Sequence, residues 1–326
     1  TDIDDKIISR AAEKEISIAA LAQEYTKYFL LDIDKLNIFP PTRMPRATEH
    51  IGKMVKYTEA LLENGLAYQE PDGSVYFDIS KFPSYGKLAQ IEKKKLRTGT
   101  RVLSDEYSKE NVQDFALWKS VGPSSQEVGY PSPWGRGRPG WHIECSVMSQ
   151  EYLGDTFDIH VGGVDLIFPH HENEIAQSEG KTGRRFVNYF VHGAHMLVDG
   201  KKMSKTLQNF YTLNDVVSGG FDPLSLRYLY LQTHYRQEMN FTWEALTSAQ
   251  RALRHLVDTI GDWNEAKIGC AEFEERFKYA INDDLNMPEA LAVMWELVKT
   301  DAYPPSARLQ SLFKMDEVLG LNLRQK

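Results

Sequence analysis

The chain has 326 residues, of which 42% are hydrophobic and 26% charged, and a formal net charge of −8. That length allows two domains or one large domain with an insertion, the composition excludes disorder as the default, and the negative balance disfavours bulk attraction to nucleic acid while leaving room for a local basic surface. No apolar run of membrane-spanning length and no charged-then-apolar leader is found, and two cysteines, Cys145 and Cys270, fit a reducing compartment rather than a disulfide framework.

The chain opens on "TDIDDKIISRA" without an initiator methionine, so an upstream segment is expected. From Asp4 to about Asp32 the pattern predicts helix, with Ser17 as the cap of a second helix and Ile18, Leu21, Tyr25 and Phe29 on one stripe. After the Pro-rich connector "NIFPPTRMPRATEH", residues 47–63 read as an amphipathic helix ended by Gly65. "AYQEPDGSVYFDIS" predicts a hairpin, two Tyr/Val/Phe-rich strands around a Pro-Asp-Gly-Ser turn. From about 83 to 140 the chain is polar and rich in Gly and Pro, which predicts loop. Within it, "EKKKLRTGTR" (92–101) is a cluster of basic residues that reads as a solvated face or mobile loop.

The composition changes at Trp141. "GWHIECSVMSQEYL" predicts a buried helix, "TFDIHVGG" a short parallel strand ending at a glycine pair, and "PHHENEIAQSEG" a helix with Pro169 in its first turn. "FVNYFVHGAHMLVDG" reads as strand, turn, strand, with His192 and His195 as packing or surface residues. Beyond about 221 the chain is mostly helical: Asp222-Pro223 starts one helix, and Leu246, Ala249, Leu253, Leu256 and Ile260 mark the next, with Trp243 packing at its start. Cys270 reads as a plain small residue. Strands alternating with helices in the centre predict an α/β layer with ligands at strand ends, followed by a helical domain.

Two stretches carry chemistry. In "PHHENE", His170 and Glu174 are four apart and His171 and Glu174 three apart, so either histidine shares a helix face with the carboxylate. A helix N-terminus disfavours protonated histidine, and neutral imidazole is the metal-binding form. Cys145 adds a thiolate, and Cys, His and Glu are reasonable zinc ligands. Spacing leaves the choice between the histidines open, and it leaves standing the plainer reading in which Glu172 and Glu174 serve the helix dipole. In "VDGKKMSKTLQNF", Lys202 and Lys205 flank Met203-Ser204 in a loop after an Asp-Gly turn. Such lysines can stabilise charge developing on a leaving pyrophosphate, although most lysine pairs are simply solvated.

With these residues in hand, the chain resembles the cysteine–tRNA ligase family of class I aminoacyl-tRNA synthetases. The resemblance runs through "TDIDDKI", "MPRATEHI", "GRPGWHIECSVM", "FDIHVGGVDLIFPHHENEIAQS", "KMSKTLQNF" and "NDDLNMPEA", essentially the whole chain. It implies a Rossmann-like class I catalytic domain over 1–31 and 140–210, a connective insertion over 32–139, a stem-contact region over 211–250 and a helical anticodon-side bundle over 251–326. It implies one Zn2+ per chain on Cys145, His170 and Glu174, a cysteine pocket lined by Thr1, Trp141 and His160, and approach to adenosine by Gly162, Gly163 and Asp165. Lys202, Met203, Ser204 and Lys205 would contact ATP, with the two lysines catalytic. L-cysteine, ATP with Mg2+ and tRNA(Cys) are the implied partners of a cytoplasmic monomer with no membrane association. Zinc prefers a thiolate to a hydroxyl, so it can discriminate where an apolar pocket separates isosteres by only about a hundredfold.

The chain departs from the family pattern in three ways. The His-Ile-Gly-His signature and a fourth, cysteine ligand belong upstream of Thr1; "HIGK" at 50–53 lies inside a predicted helix and is a decoy. The glycine usual before Asn209 is Gln208, and "KTDAYPPSARLQ" is a short helical connection. Two other readings remain: a non-catalytic zinc- or tRNA-binding fragment or paralogue, and a mycothiol-pathway cysteine ligase, which would transfer cysteine to an amino sugar.

Overall fold

The computed structural model describes residues 2–325 except 92–95, 103–111, 123–127, 205 and 264, and over 96–102 it describes the backbone alone. The chain divides into two compact units: Thr1–Tyr25 with Thr42–His192, and Thr26–Pro41 with Gly193–Lys326.

In the first unit, α1 (Asp5–Glu13) starts where the Asp4 carboxylate accepts the Ile7 N–H at 2.6 Å. Ser17 Oγ accepts the Ala20 N–H and opens α2 (Ile18–Lys35), whose residues are divided between the units. Only part of its expected stripe is buried: Leu21 is covered, whereas Tyr25 and Phe29 are 43% and 49% exposed. Periodicity reports which residues can share a face, not what covers that face. The Asp2 carboxylate takes the Thr48 N–H and hydroxyl, holding a short 3-10 turn, Ala47–His50, that leads into α3 (Ile51–Glu63). His50 to Lys53, the "HIGK" run, therefore lies in that turn and the first turn of α3.

β1 (Ala67–Gln69) and β2 (Val75–Phe77) form the expected antiparallel hairpin, with Tyr68 opposite Tyr76. The 83–140 stretch corrects the loop expectation. It holds β3 (Leu96–Val102), β4 (Val112–Ser120) and β5 (Gly137–Pro139), with β4 pairing β2 antiparallel, β3 parallel and β5 antiparallel. Phe115 to Trp118 are all buried, so β4 shows no alternation to mark it as a strand inside polar surroundings. Leu61, Phe77, Phe115, Trp118 and Ile143 lie in this unit's main core, with Phe77 and Phe115 stacked at 5.0 Å. α4 (Trp141–Leu153), β6 (Phe157–Gly163), α5 (Glu172–Thr182) and β7 (Val187–Gly193) complete it, β6 and β7 pairing as a two-stranded sheet.

In the second unit, β8 (Met196–Val198) and β9 (Lys201–Lys202) form a tight antiparallel pair. α6 (Leu213–Ser218) begins with a reciprocal Thr212–Asp215 capping box, and Pro223 opens α7 (Pro223–Leu231). β10 (Met239–Phe241) runs parallel to β8. Every residue of the expected stripe on α8 (Trp243–Gly261) is buried, and Trp243 packs at its start against Phe221 and Phe241. α9 (Ala271–Asn282), α10 (Met287–Lys299) and α11 (Pro305–Leu319) close a core that includes Leu246, Leu253, Met294, Leu297 and Leu312. Cys270 is buried in that core, as expected of a small residue.

Candidate metal centre

α4 supplies the first half of the site. Gly140 precedes it against the Ala116 carbonyl, leaving no space for a Cβ, and the first helical residue is Trp141. The Trp141 ring stacks on His170 with centroids 4.4 Å apart. Cys145 lies one turn further along the same helix.

The second half enters through a kink rather than the uninterrupted helix expected from "PHHENE". Ile167–His171 is an irregular turn with Phe168 extended (φ −139°, ψ 133°), and regular helix begins at Glu172. Pro169 thus precedes α5 instead of occupying its first turn. His170 and Glu174 still meet, with Nε2 3.2 Å from Oε1. His160, from β6, donates through Nε2 to Glu174 Oε2 at 2.8 Å.

The ligand atoms of Cys145, His170 and Glu174 all lie within 4.8 Å of one another. Glu174 is fully buried, yet its Oε1, 3.2 Å from His170 Nε2, accepts no well-formed hydrogen bond. A buried carboxylate oxygen facing an imidazole nitrogen and a thiol suits a tetrahedral divalent ion with Cys, His and Glu donors. With Cys145, His170 and Glu174 as donors, the His160 hydrogen bond to Oε2 would orient the carboxylate and leave Oε1 for the ion. A second group with metal-like spacing, His160, His171 and Glu174, shares the same carboxylate.

The electrostatics agree with this division. Burial pushes the Glu174 carboxyl up, but the His160 hydrogen bond and the adjacent His170 imidazole outweigh it and hold the group well below the usual carboxylate range. Burial pushes the His171 imidazole down to about 3, which keeps the ring neutral. Burial, reinforced by the negative charges of Glu174 and Glu144, pushes the Cys145 thiol up; a bound cation reverses that balance and favours thiolate.

Several residues of the site escaped the sequence reading. His142 Nδ1 lies 2.9 Å from His170 Nδ1, and His192 Nε2 lies 2.9 Å from His171 Nδ1, so His192 belongs to the cluster rather than to general packing. His195 is exposed. Glu172 does more than favour a helix dipole: fully buried, it accepts the Gly86 and Ala89 N–H groups at 2.7 and 2.8 Å, while Asn173 accepts the Tyr85 hydroxyl. Both residues therefore tie the 85–89 segment to the start of α5. The only sequence signal for these roles is the density of polar residues in a stretch otherwise flanked by apolar ones.

Gly162 and Gly163 end β6. A Cβ at Gly162 would come within 2.7 Å of the His171 ring, and one at Gly163 would meet the Asp165 carboxylate. Close approach to the buried His171 ring thus already favours glycine at 162, whereas at 163 the Asp165 side chain could give way. Asp165 lies in the turn that follows, Val164–Leu166. Thr1, expected in the cysteine pocket, lies outside the described residues.

The lysine loop belongs to the second unit. Lys202 ends β9 and is exposed, Met203 packs against that unit's core and Ser204 is partly buried; Lys205 and residues 92–95 of the basic stretch lie outside the described residues.

The model of the class I (C) tRNA synthetase catalytic domain matches residues 1–251, and the DALR domain model matches 276–300. The chain belongs to the cysteine–tRNA ligase family. Cysteine–tRNA ligase of Chlamydia pneumoniae is 45% identical over 98% of this chain and 72% of its own length, and that of Brachyspira hyodysenteriae 47% identical over 92% and 66%. The chain therefore spans roughly two thirds of the relatives' length. Among solved structures, Mycobacterium tuberculosis methionyl-tRNA synthetase in complex with methionyl-adenylate superposes with a TM-score of 0.62 at 16% identity, covering 97% of this chain and 80% of its own, which shows a shared class I fold. Membership of this family makes the chain an aminoacyl-tRNA synthetase with a mixed α/β catalytic domain and a helical C-terminal region. No helix among the described residues is long and apolar enough to cross a membrane.

Proposed function

We propose that the chain activates L-cysteine with ATP to cysteinyl-adenylate and transfers the cysteinyl group to tRNA(Cys), with zinc held by Cys145, His170 and Glu174 selecting the substrate thiol. The observation that carries this reading is the convergence of those three ligand atoms around an oxygen, Glu174 Oε1, that the protein itself leaves without a hydrogen bond. Bound zinc supplies a preference for thiolate over hydroxyl, which an apolar pocket cannot match.

The residues of the chain do the rest. His160 orients Glu174, and Trp141 holds the His170 ring by stacking. Together with Thr1, Trp141 and His160 line the cysteine pocket. Gly162, Gly163 and Asp165 border the adenosine, and Lys202, Met203, Ser204 and Lys205 meet the triphosphate with its Mg2+. The cysteine carboxylate attacks the α-phosphate and pyrophosphate leaves; the terminal ribose hydroxyl of the tRNA then attacks the adenylate carbonyl and AMP leaves. Neither step needs a covalent nucleophile from the enzyme, so positioning and charge stabilisation provide the catalysis. In this reading 1–31 and 140–210 form the catalytic domain, 32–139 the connective insertion, 211–250 the stem contact and 251–326 the anticodon side, in a cytoplasmic monomer.

The test is cysteine-dependent exchange of pyrophosphate into ATP, with serine as the control and with zinc removed by chelation and restored. Exchange that needs both cysteine and zinc is the expected result. Bound zinc without exchange would reassign the chain to a binding role, and exchange with cysteine transferred to an amino sugar instead of tRNA would reassign the acceptor.

A further inference from the structure

The stretch that presents Lys202 is held by side chains rather than by a continued strand. Between β8 and β9, Asp199 and Gly200 both take left-handed φ values, +50° and +70°, and the Gly200 N–H donates to Asn240 Oδ1 at 2.7 Å. Asn240 lies on β10, beside β8, so this contact fixes the start of β9. The other end is fixed by Asn209. Its Oδ1 accepts the Ser204 N–H at 2.8 Å and its Nδ2 donates to the Lys202 carbonyl at 3.1 Å. Ser204 Oγ accepts the Leu207 N–H at 3.1 Å, which folds the chain back so that Asn209 can reach. Gln208 pays for that return with φ +52°, a region that favours glycine.

We propose that Asn209 is a positioning residue for Lys202: one amide group bridges the Lys202 carbonyl and the Ser204 N–H and thereby sets the direction in which the lysine leaves the backbone. The inference rests on the reading of this loop as the triphosphate contact. The physical need is clear. A lysine has a long, rotamer-rich stem, and an ammonium stabilises developing charge only when it is already in place. Fixing the backbone on both sides of Met203 narrows that search before ATP arrives, because it sets where the stem begins. An amide suits this, because the bridge needs one acceptor and one donor on the same planar group. Asp at this position keeps the acceptor for Ser204 and turns a lone pair toward the Lys202 carbonyl, so it separates the two halves of the role.

Two measurements on the full chain test this. Hydrogen–deuterium exchange at the Ser204 amide reads the bridge without any substrate: Asn209→Ala exposes it, whereas Asn209→Asp keeps it protected. Equal protection in wild type and Asn209→Ala overturns the proposal. In pyrophosphate exchange, Asn209→Ala lowers kcat on the order of 10- to 100-fold, with KM for cysteine, zinc content and Tm unchanged; Asn209→Asp falls between it and wild type. An unchanged kcat, or a loss that tracks Tm, overturns the positioning role. Absence of exchange in the wild type would strike the functional reading instead, and the amide measurement would still decide the bridge.

Discussion

Around Glu174 the polar groups are sealed, whereas around Lys202 they stand in water. Glu172, Asn173, Glu174 and Gln177 have no solvent exposure, and each of the first three meets a partner from another element. Taking a carboxylate out of water costs several kcal/mol unless hydrogen bonds and opposite charge offset it, so such a cluster holds together only as a set. The lysine stretch is the reverse case: an exposed cation on a short strand, directed by two asparagine side chains and one serine hydroxyl. A rigid, dry pocket suits recognition of a small thiol in one geometry. An exposed cation on a backbone held at both ends suits a partner that must enter and leave.

Removing Cys145 should have the largest effect and separates the two regions most sharply. Cys145→Ala is expected to release the ion and to lower cysteine-dependent exchange by more than the roughly 100-fold that loss of an outer-shell partner costs, measured as zinc per chain beside the exchange rate. Full zinc retention in this variant would break the assignment. Lys202→Ala should leave zinc content unchanged while slowing exchange on the order of 100-fold, as expected for loss of one preorganised charge; a drop in bound zinc would mean that the two regions are not functionally distinct.

The smallest effect concerns the packing that backs the sealed region. Tyr57 donates to Ser178 Oγ at 3.2 Å, and burial pushes its phenol well above the ordinary range near pH 10. The neutral form is therefore favoured in the folded state, so its contribution is complete below about pH 10 and declines as pH rises beyond it. Tyr57→Phe should cost about 0.5–1.5 kcal/mol at neutral pH and flatten the alkaline fall in urea-midpoint stability. An unchanged alkaline slope would show that another group titrates there.

The two regions also differed in how far they could be read from sequence. On α8 the 3.6-residue stripe was legible because a single helix face carries all of its information. β4 was not, since a strand covered on both faces loses its alternation. Cys145 and Glu174 were legible as a possible donor set by residue type and spacing, but the choice of His170 over His171 came from family resemblance. His142 and His192 carry no local pattern that distinguishes a site residue from a packing residue. Their relation is between elements: α4 meets the turn before α5, and that turn meets β7.

By itself the sequence determined the chemistry available: a thiol, imidazoles and a carboxylate at helical spacing, two lysines after an Asp-Gly turn, and motifs that place the chain in its family. Which of those groups face one another was decided by tertiary structure. After the kink at 167–171, His170 faces Glu174; His160 and His170 hold the Glu174 carboxyl down, and burial keeps the His171 ring neutral. The return of the chain at Gln208 brings Asn209 to Lys202 and Ser204. The reason is physical: charge state, ligand geometry and hydrogen-bond satisfaction depend on neighbours and dielectric, and local sequence specifies neither until the chain has folded.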